Sequence, residues 1–485
     1  MLKTRRVQFI APQIKWCNKL TPYILPVFLI SSLQAESIAA LMDGFDEEPQ
    51  TEPKVVIKKD KLDEVLDGFD DEASTAPVPK KESKEKVPSQ KRETFASSID
   101  GITGKITEQT AFSYNDTAPH DNFSSLKSSL LLDYEHKFEN GFRIKTNAKA
   151  YYDAIYSLRG REKYSRDELD ELESEVELFD AYVEGSITDN LDFKLGRQVV
   201  VWGRSDTIRI TDVLNPLDNR RPGMVDIEDL RLPVGMAKFD YFVGDWRITP
   251  MAIVEQRFSK NPPAGSTFNA STNSLPSNED YNEVLPSLSI GAEFSGFDIN
   301  FYAAKLRDDA GYFSNGKLQH AKTNMFGTAL NILNGSWLLK SELAHFDGLK
   351  YTSTQQKEFK RTDGLIGLEY NGIADTLISY DASLRKIHNY DNRLKNELFE
   401  TKEETYQHAF RVSSDFMNAT LHANYLVSLF GKNFDEGGFQ RAWVKYGIMD
   451  GVYANLGLVD YMSGTKRFDA ISNSDMAFLD VSYSF

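Results

Sequence analysis

Long runs of strict alternation constrain this chain more than any other feature. In the last eight residues Leu479, Val481, Tyr483 and Phe485 alternate with Phe478, Asp480, Ser482 and Ser484. Phe142, Ile144, Ala148, Ala150 and Tyr152 take one face of an earlier segment, and Arg143, Lys145, Asn147, Lys149 and Asp153 take the other. Between Asn418 and Leu429 the residues Ala419, Leu421, Ala423, Tyr425, Val427 and Leu429 alternate with Asn418, Thr420, His422, Asn424 and Ser428. A period of two is the period of a β-strand, in which successive side chains point to opposite faces. Strands of a soluble sandwich rarely sustain it for about ten residues, whereas a strand that crosses a bilayer must.

The turns between such segments predict how many there are. Asn-Gly, Asp-Gly and similar pairs accept the positive φ of tight hairpins. Short turns are expected near Asn140-Gly141, Thr188-Asn190, Gly244-Asp245, Ser295-Gly296, Asn334-Gly335, Asn371-Gly372, Met417-Asn418 and Asp450-Gly451. Longer polar links are expected near 115–123, 158–173, 201–231, 258–286, 307–321, 346–359, 388–403, 431–437 and 461–473. Eight short turns and nine long links join 18 strands, with 16 as the alternative count. The expected fold is all-β: a transmembrane antiparallel β-barrel with both chain ends on the short-turn side. Because a bilayer core leaves no backbone polar group solvated, only helices and closed barrels cross it. No window after the N-terminus is apolar enough for a spanning helix.

Composition agrees. Aromatics make up 12% of the 485 residues, with 31 Phe and 22 Tyr, while mean hydropathy is −0.44. An apolar outer face combined with a polar interior produces that pairing. A net charge of −16 argues against a nucleic-acid partner, which needs a basic face. The single cysteine, Cys17, precedes an apolar run. If that run is removed, the mature chain has no disulfide, thiolate metal site or cysteine nucleophile.

The N-terminus reads as an export signal over residues 1–35: Lys3, Arg5, Arg6, Lys15 and Lys19, then the apolar stretch Tyr23 to Ala35. Cleavage is expected after Ala35, with Ala39 or Ala40 as alternatives. Residues 36–93 are rich in Glu, Asp, Lys, Pro and Ser and lack periodicity. Such a stretch does not bury enough apolar area to offset its chain entropy. A disordered acidic tether is expected there, on the periplasmic side, with the barrel over 94–485. Within the tether Asp43-Gly44-Phe45-Asp46 recurs as Asp67-Gly68-Phe69-Asp70. One Phe in an acidic frame, repeated, suits docking: Phe45 and Phe69 would fill a partner's pocket while Asp43, Asp46, Asp67 and Asp70 steer toward a basic surface. Drift of a duplicated tail is the alternative.

The third long link is not a bland surface loop. Leu195 to Pro233 holds Trp202 with Ile208, Ile210, Val213 and Leu214, and charges of both signs. The basic residues are Arg197, Arg204, Arg209, Arg220, Arg221 and Arg231. The acidic ones are Asp206, Asp212, Asp218, Asp226, Glu228 and Asp229, and Asn215 accompanies them. Buried-type residues among paired charges predict a segment folded into the barrel as a constriction or plug. A surface cap ordered by salt bridges is the alternative. Enzyme chemistry is not expected. The seven His, among them His422 on an expected lumen face, have neither metal-ligand spacing nor a nucleophile-elbow context, and no cofactor motif occurs.

Two resemblances add to this reading. The ending Leu479, Val481, Tyr483, Phe485 resembles the C-terminal signal read by the bacterial barrel assembly machinery, which implies an outer-membrane location among outer-membrane lipids. The run GRQ-x-x-x-WG-x-SD from Gly196, the NPLD run at Asn215 to Asp218, the Glu228-Asp229 and Arg231 neighbourhood, and DY-x-x-GDW from Asp240 to Trp246 resemble the bacterial outer-membrane barrel family known as domain of unknown function 1302. That family implies a partner among inner-membrane transporters of the resistance-nodulation-division superfamily and periplasmic lipid-carrier lipoproteins. It thus implies a part in moving a lipid-like or hydrophobic substance across the envelope. A freestanding porin for small polar solutes, gated by residues 201–231, is the rival expectation.

Overall fold

The computed structural model describes residues 101–485, apart from 115–117, 272–273, 275, 278–280 and 399. The expected export signal, the tether and its two Phe motifs lie outside the described residues.

The first nine strands are β1 Ile102–Ser113, β2 Asn122–Lys137, β3 Arg143–Asp153, β4 Ser174–Thr188, β5 Leu191–Gln198, β6 Val234–Val243, β7 Trp246–Ile253, β8 Leu285–Phe294 and β9 Phe297–Arg307. A small hairpin follows, β10 Tyr312–Ser314 with β11 Lys317–Gln319. The rest are β12 Lys322–Asn334, β13 Trp337–Leu349, β14 Phe359–Ile373, β15 Thr376–His388, β16 Glu404–Phe416, β17 Leu421–Phe430, β18 Gly438–Met449, β19 Val452–Met462 and β20 Met476–Ser484. Leaving out the hairpin, each strand pairs antiparallel with its neighbours in sequence, and β9 pairs with β12. β1 also pairs with β20, from Lys105 opposite Ser484 to Ser113 opposite Met476, so the 18 strands close on themselves. A closed ring leaves no strand edge, which is what lets a sheet stand in a bilayer.

The closing seam depends on one glycine. Gly104 and Phe485 exchange both backbone hydrogen bonds, each at 2.9 Å. A Cβ on Gly104 would lie 2.5 Å from Phe485 Cζ, so the terminal ring fits because position 104 has no side chain.

All nine long links and seven of the eight short turns fall where the turn chemistry places them. The exception is Asn371-Gly372, which lies inside β14; the strand pair turns instead at Ala374 and Asp375, where Asp375 has φ 54°. The strand runs on because Tyr370 packs its ring on Trp337 of β13 at 4.4 Å, and the register slips between Tyr370 and Ile373. The alternation expected from Asn418 begins only at Leu421. Met417, Asn418 and Ala419 all have positive φ and form the turn itself.

The two faces of the wall differ as a membrane barrel requires. On β14 the outward Ile366 is 65% exposed while the inward Leu365 is 3% exposed. On β20 Leu479, Val481 and Tyr483 are exposed, whereas Met476 and Phe478 are buried in the interior. Aromatic pairs gather at the short-turn end, Trp246 with Phe294 and Trp337 with Tyr370. The largest buried cluster joins Trp202, Ile208, Ile210 and Leu214 of one long link to Met236, Tyr302, Met325 and Phe346 of the wall.

Candidate functional site

That link runs from residue 199 to 233, between β5 and β6. Its neck is tied by Asn215, the first residue of the NPLD run. The Asn215 side-chain oxygen accepts the Val200 N–H at 2.8 Å, and its amide donates to the carbonyls of Leu232 at 2.8 Å and Gln198 at 3.3 Å. One buried amide thus holds the outgoing and returning backbone together. Asp212 sits beside it and accepts from Arg209 at 3.0 Å and from Arg231 at 2.9 Å.

The first half of the link is received by carboxylates of the wall. Glu342, inward on β13 and 3% exposed, accepts the backbone N–H groups of Arg204 (2.6 Å), Ser205 (2.9 Å) and Thr211 (3.1 Å), and the Thr211 hydroxyl at 2.7 Å. Gly203 is required there: its φ is 92°, and a Cβ would come within 2.7 Å of a Glu342 oxygen. Asp381 on β15 accepts the Ser205 and Thr207 hydroxyls, both at 2.6 Å. Asp206 pairs with Lys340 of β13 at 3.0 Å, and Lys340 also holds Glu369 of β14 at 3.0 Å. Arg204 pairs with Asp298 of β9, and Trp202 stacks on Tyr302 of the same strand at 4.6 Å. The buried Glu342 carboxylate is tolerated because each of its two oxygens is filled by donors.

The second half pairs charge with charge. Asp218 holds Arg220 at 2.6 Å, and Arg220 reaches Glu175 of β4 at 2.7 Å and the Tyr151 hydroxyl of β3 at 3.3 Å. Arg221 pairs with Asp153 of β3 at 3.0 Å and donates to Ser125 of β2 at 3.0 Å. The Tyr461 hydroxyl of β19 donates to the Pro222 carbonyl. Asp226 pairs with Arg441 of β18 at 3.2 Å and with Arg411 of β16 at 3.6 Å. Glu228 and Asp229 lie on a single helical turn, Ile227–Leu230, where Asp229 is exposed.

Eleven of the fourteen residues singled out from the sequence therefore have a partner in this set or on the wall. Arg197 does not join them. It ends β5 next to Gln198, and consecutive strand residues face opposite ways. Gln198 enters the interior, while Arg197 pairs with Glu255 at 3.1 Å at the start of a different link.

That different link, 254–284, was not foreseen as part of the site. It lies alongside the first: Lys260 bonds the backbone of Asn219 at 2.7 Å and of Leu217 at 2.9 Å, and its ammonium reaches Glu177 of β4 at 2.8 Å. Phe268 contacts Tyr461 of β19 at 5.4 Å. Phe258 stacks on His320 at 3.4 Å, and burial holds the His320 imidazole below its ordinary pKa. The wall acceptors Glu342 and Asp381 were also unforeseen. Their signal was present as charges at inward positions in mid-strand, Lys340 and Glu342 within WLLKSELAHF, where alternation alone does not separate lumen from lipid.

Together the contacts define a class: an 18-stranded membrane-type barrel with an ordered link bonded to wall strands on many sides. The chain belongs to the family described as protein of unknown function (DUF1302), matched over residues 107–485. No curated protein matches it in sequence. Among solved structures it is similar to OccK9 (OpdG) of Pseudomonas aeruginosa, with a TM-score of 0.50 and 11% identity over 79% of this chain and 97% of that one. It is also similar to the outer membrane protein OpdK of the same organism (TM-score 0.48, 10% identity, 80% and 99% covered). OccAB3 of Acinetobacter baumannii gives a TM-score of 0.47 at 11% identity, with 80% and 100% covered. At such identities the likeness concerns the fold. Among the described residues no three His, Cys, Asp or Glu side chains are grouped to hold a metal ion.

Proposed function

We propose that the protein is an outer-membrane channel whose lumen is narrowed by the link 199–233, with 254–284 packed against it, and that it passes small polar solutes. The reach of the first link carries this reading. It leaves the wall at β5, and Asp226 pairs with Arg411 of β16, half-way round the 18-strand ring. A segment bonded to β3 and β4 on one side and to β13, β15, β16 and β18 on others spans the interior. The inward wall beyond it is polar, with Lys105, Lys145, Asp415 and His422 among its residues. That suits a wet path for polar solutes better than a dry one for lipid. Such a channel is not an enzyme.

The test is single-channel current in planar bilayers for the intact protein and for a variant in which residues 204–212 are replaced by a short Gly-Ser link. The intact protein is expected to conduct weakly, and the variant several-fold more. Equal currents would remove the plug from the proposal.

The repeated motif favours a second reading. Two copies of Asp-Gly-Phe-Asp in a periplasmic tether suit docking to an inner-membrane transporter of the resistance-nodulation-division type or to a lipid-carrier lipoprotein. The barrel would then be the outer-membrane part of a route for a hydrophobic substance. Crosslinking in cells with Phe45→Ala and Phe69→Ala together tests it: loss of a periplasmic partner is expected, and an unchanged partner set rejects it.

A further inference from the structure

Charge along the link 199–233 is neutralised by the pairs described above, with one exception. Among its described charged side chains Asp229 alone has neither an ion pair nor a hydrogen bond. Its position explains why no wall residue reaches it. Asp226 is held at β16 and β18, and Arg231 is already back at Asp212 beside the neck. The helical turn Ile227–Leu230 between them therefore crosses the lumen, and Asp229 on it is exposed.

The wall facing that turn carries the opposite charge in the same condition. Lys127 of β2 stands opposite Asp153 of β3, whose carboxylate holds Arg221 of the link, and Lys149 lies on the same face of β3 as Asp153. Both lysines therefore point inward. Among the described residues neither forms an ion pair; Lys149 lies over the Phe179 ring at 3.5 Å and Lys127 over the Tyr151 ring at 5.4 Å. The other acids around Lys149 are taken: Glu177 by Arg257 and Lys260, Asp218 by Arg220, and Asp180 by the Asn147 amide at 3.2 Å. Asp153, beside Lys127, is taken by Arg221 and the Ser125 hydroxyl. Of all the charges around Lys149, Asp229 attracts it most strongly, yet the two form no ion pair. An ammonium and a carboxylate thus face each other across a gap in the lumen.

Charges left unpaired inside a protein are costly unless something completes them. We propose that a solute does so here: the gap between Asp229 and Lys149, with Lys127 toward the long links, is a selective point for small zwitterions that carry both an ammonium and a carboxylate. The ammonium of the solute goes to Asp229 and its carboxylate to the lysines. The opposition of signs selects this class. A simple anion gains at Lys149 and is repelled by Asp229, a simple cation meets the reverse, and a solute with both groups gains at both ends. The inference rests on the reading of the barrel as a channel for small polar solutes.

The test measures solute entry into liposomes that carry the protein, with glycine as the zwitterion and glycolamide as a neutral solute of like size. Heat-modifiable migration shows first that each variant is folded. Glycine is expected to enter wild-type liposomes at least about threefold faster than glycolamide. Asp229→Asn alone and Lys149→Gln alone should each bring the two rates together while leaving glycolamide entry unchanged. Exchanging the charges, Asp229→Lys with Lys149→Glu, should restore the preference, which a merely structural role would not do. Equal rates in the wild type would overturn the inference and leave the channel reading standing. A preference that survives both single substitutions would do the same, as would one lost with Lys149→Gln but kept with Asp229→Asn, which marks a site for anions only. If neither solute enters faster than into empty liposomes, the channel reading falls and this inference with it.

Discussion

The two halves of the link 199–233 are held by different physics. In the first half the wall offers carboxylates and the link offers its own backbone: Glu342 takes three N–H groups and a hydroxyl, within an apolar cluster containing Trp202, Ile208 and Ile210. In the second half side chains meet side chains, with Arg220 on Glu175, Arg221 on Asp153, and Asp226 between Arg411 and Arg441. Backbone donors have no rotamers to lose and lie away from salt, so the first half acts as a buttress. Among these pairs Arg220 and Asp153 are buried and firmly held, whereas Asp226, partly exposed between Arg411 and Arg441, is open to salt and can exchange partners. Any gating motion should therefore arise in the second half.

The variants that break this contrast begin with Glu342→Ala. It leaves several buried donors unfilled and should cost about 3 kcal/mol. The first half should become open to trypsin at Arg204 and Arg209, and conductance should rise. A digestion pattern like the wild type would mean that the buttress lies elsewhere. Trp202→Ala removes the ring stacked on Tyr302 and should cost a similar or slightly smaller amount, about 3 kcal/mol by the usual range for large-to-small changes. It is read as a lower temperature for loss of heat-modifiable migration. Asp226→Asn should cost about 1 kcal/mol or less. Its mark should be more frequent current fluctuations without a trypsin-sensitive first half, and raising salt to about 1 M should make the wild type resemble it. If Asp226→Asn exposes Arg204 as well, the halves are one unit.

The smallest expected effect concerns the neighbouring link. His320 is buried against Phe258 with its pKa lowered, so its folded form resists protonation. Its contribution is present above the unfolded pKa of roughly 6.5 and is lost as pH falls below it. Proteolysis of 254–284 should be faster at about pH 5 than at pH 7.5, and His320→Phe should flatten that dependence.

Much of the fold was legible because a wall strand has only two faces and a tight turn only a few residues that tolerate it. Leu479, Val481, Tyr483 and Phe485 announced an outward row, and Asn140-Gly141 or Asp450-Gly451 announced hairpins. The turn misplaced at Asn371-Gly372 shows the limit. Those residues suit a turn locally, yet the Tyr370 ring on Trp337 keeps the strand going, and that contact joins different strands. The site was legible on one side. Trp202 stood out as a buried-type residue in a link, and Arg220 and Asp212 as charges of opposite sign beside it. Their receivers on the wall, Glu342, Asp381 and Arg441, sit in ordinary alternating strands and looked like any lumen residue. Lys127 was hidden for the same reason.

The sequence by itself determined that the chain is a barrel, its strand number, and which link was unusual. Those properties come from periodicity and turn chemistry, which act between residues close along the chain. The tertiary structure alone decided which way each alternating face points, that two links rather than one are packed together, and which wall residues hold them. It also decided which charges stay unpaired. These depend on ring closure, which brings β5 opposite β16 and sets β1 against β20, and no local pattern encodes contacts made at that distance.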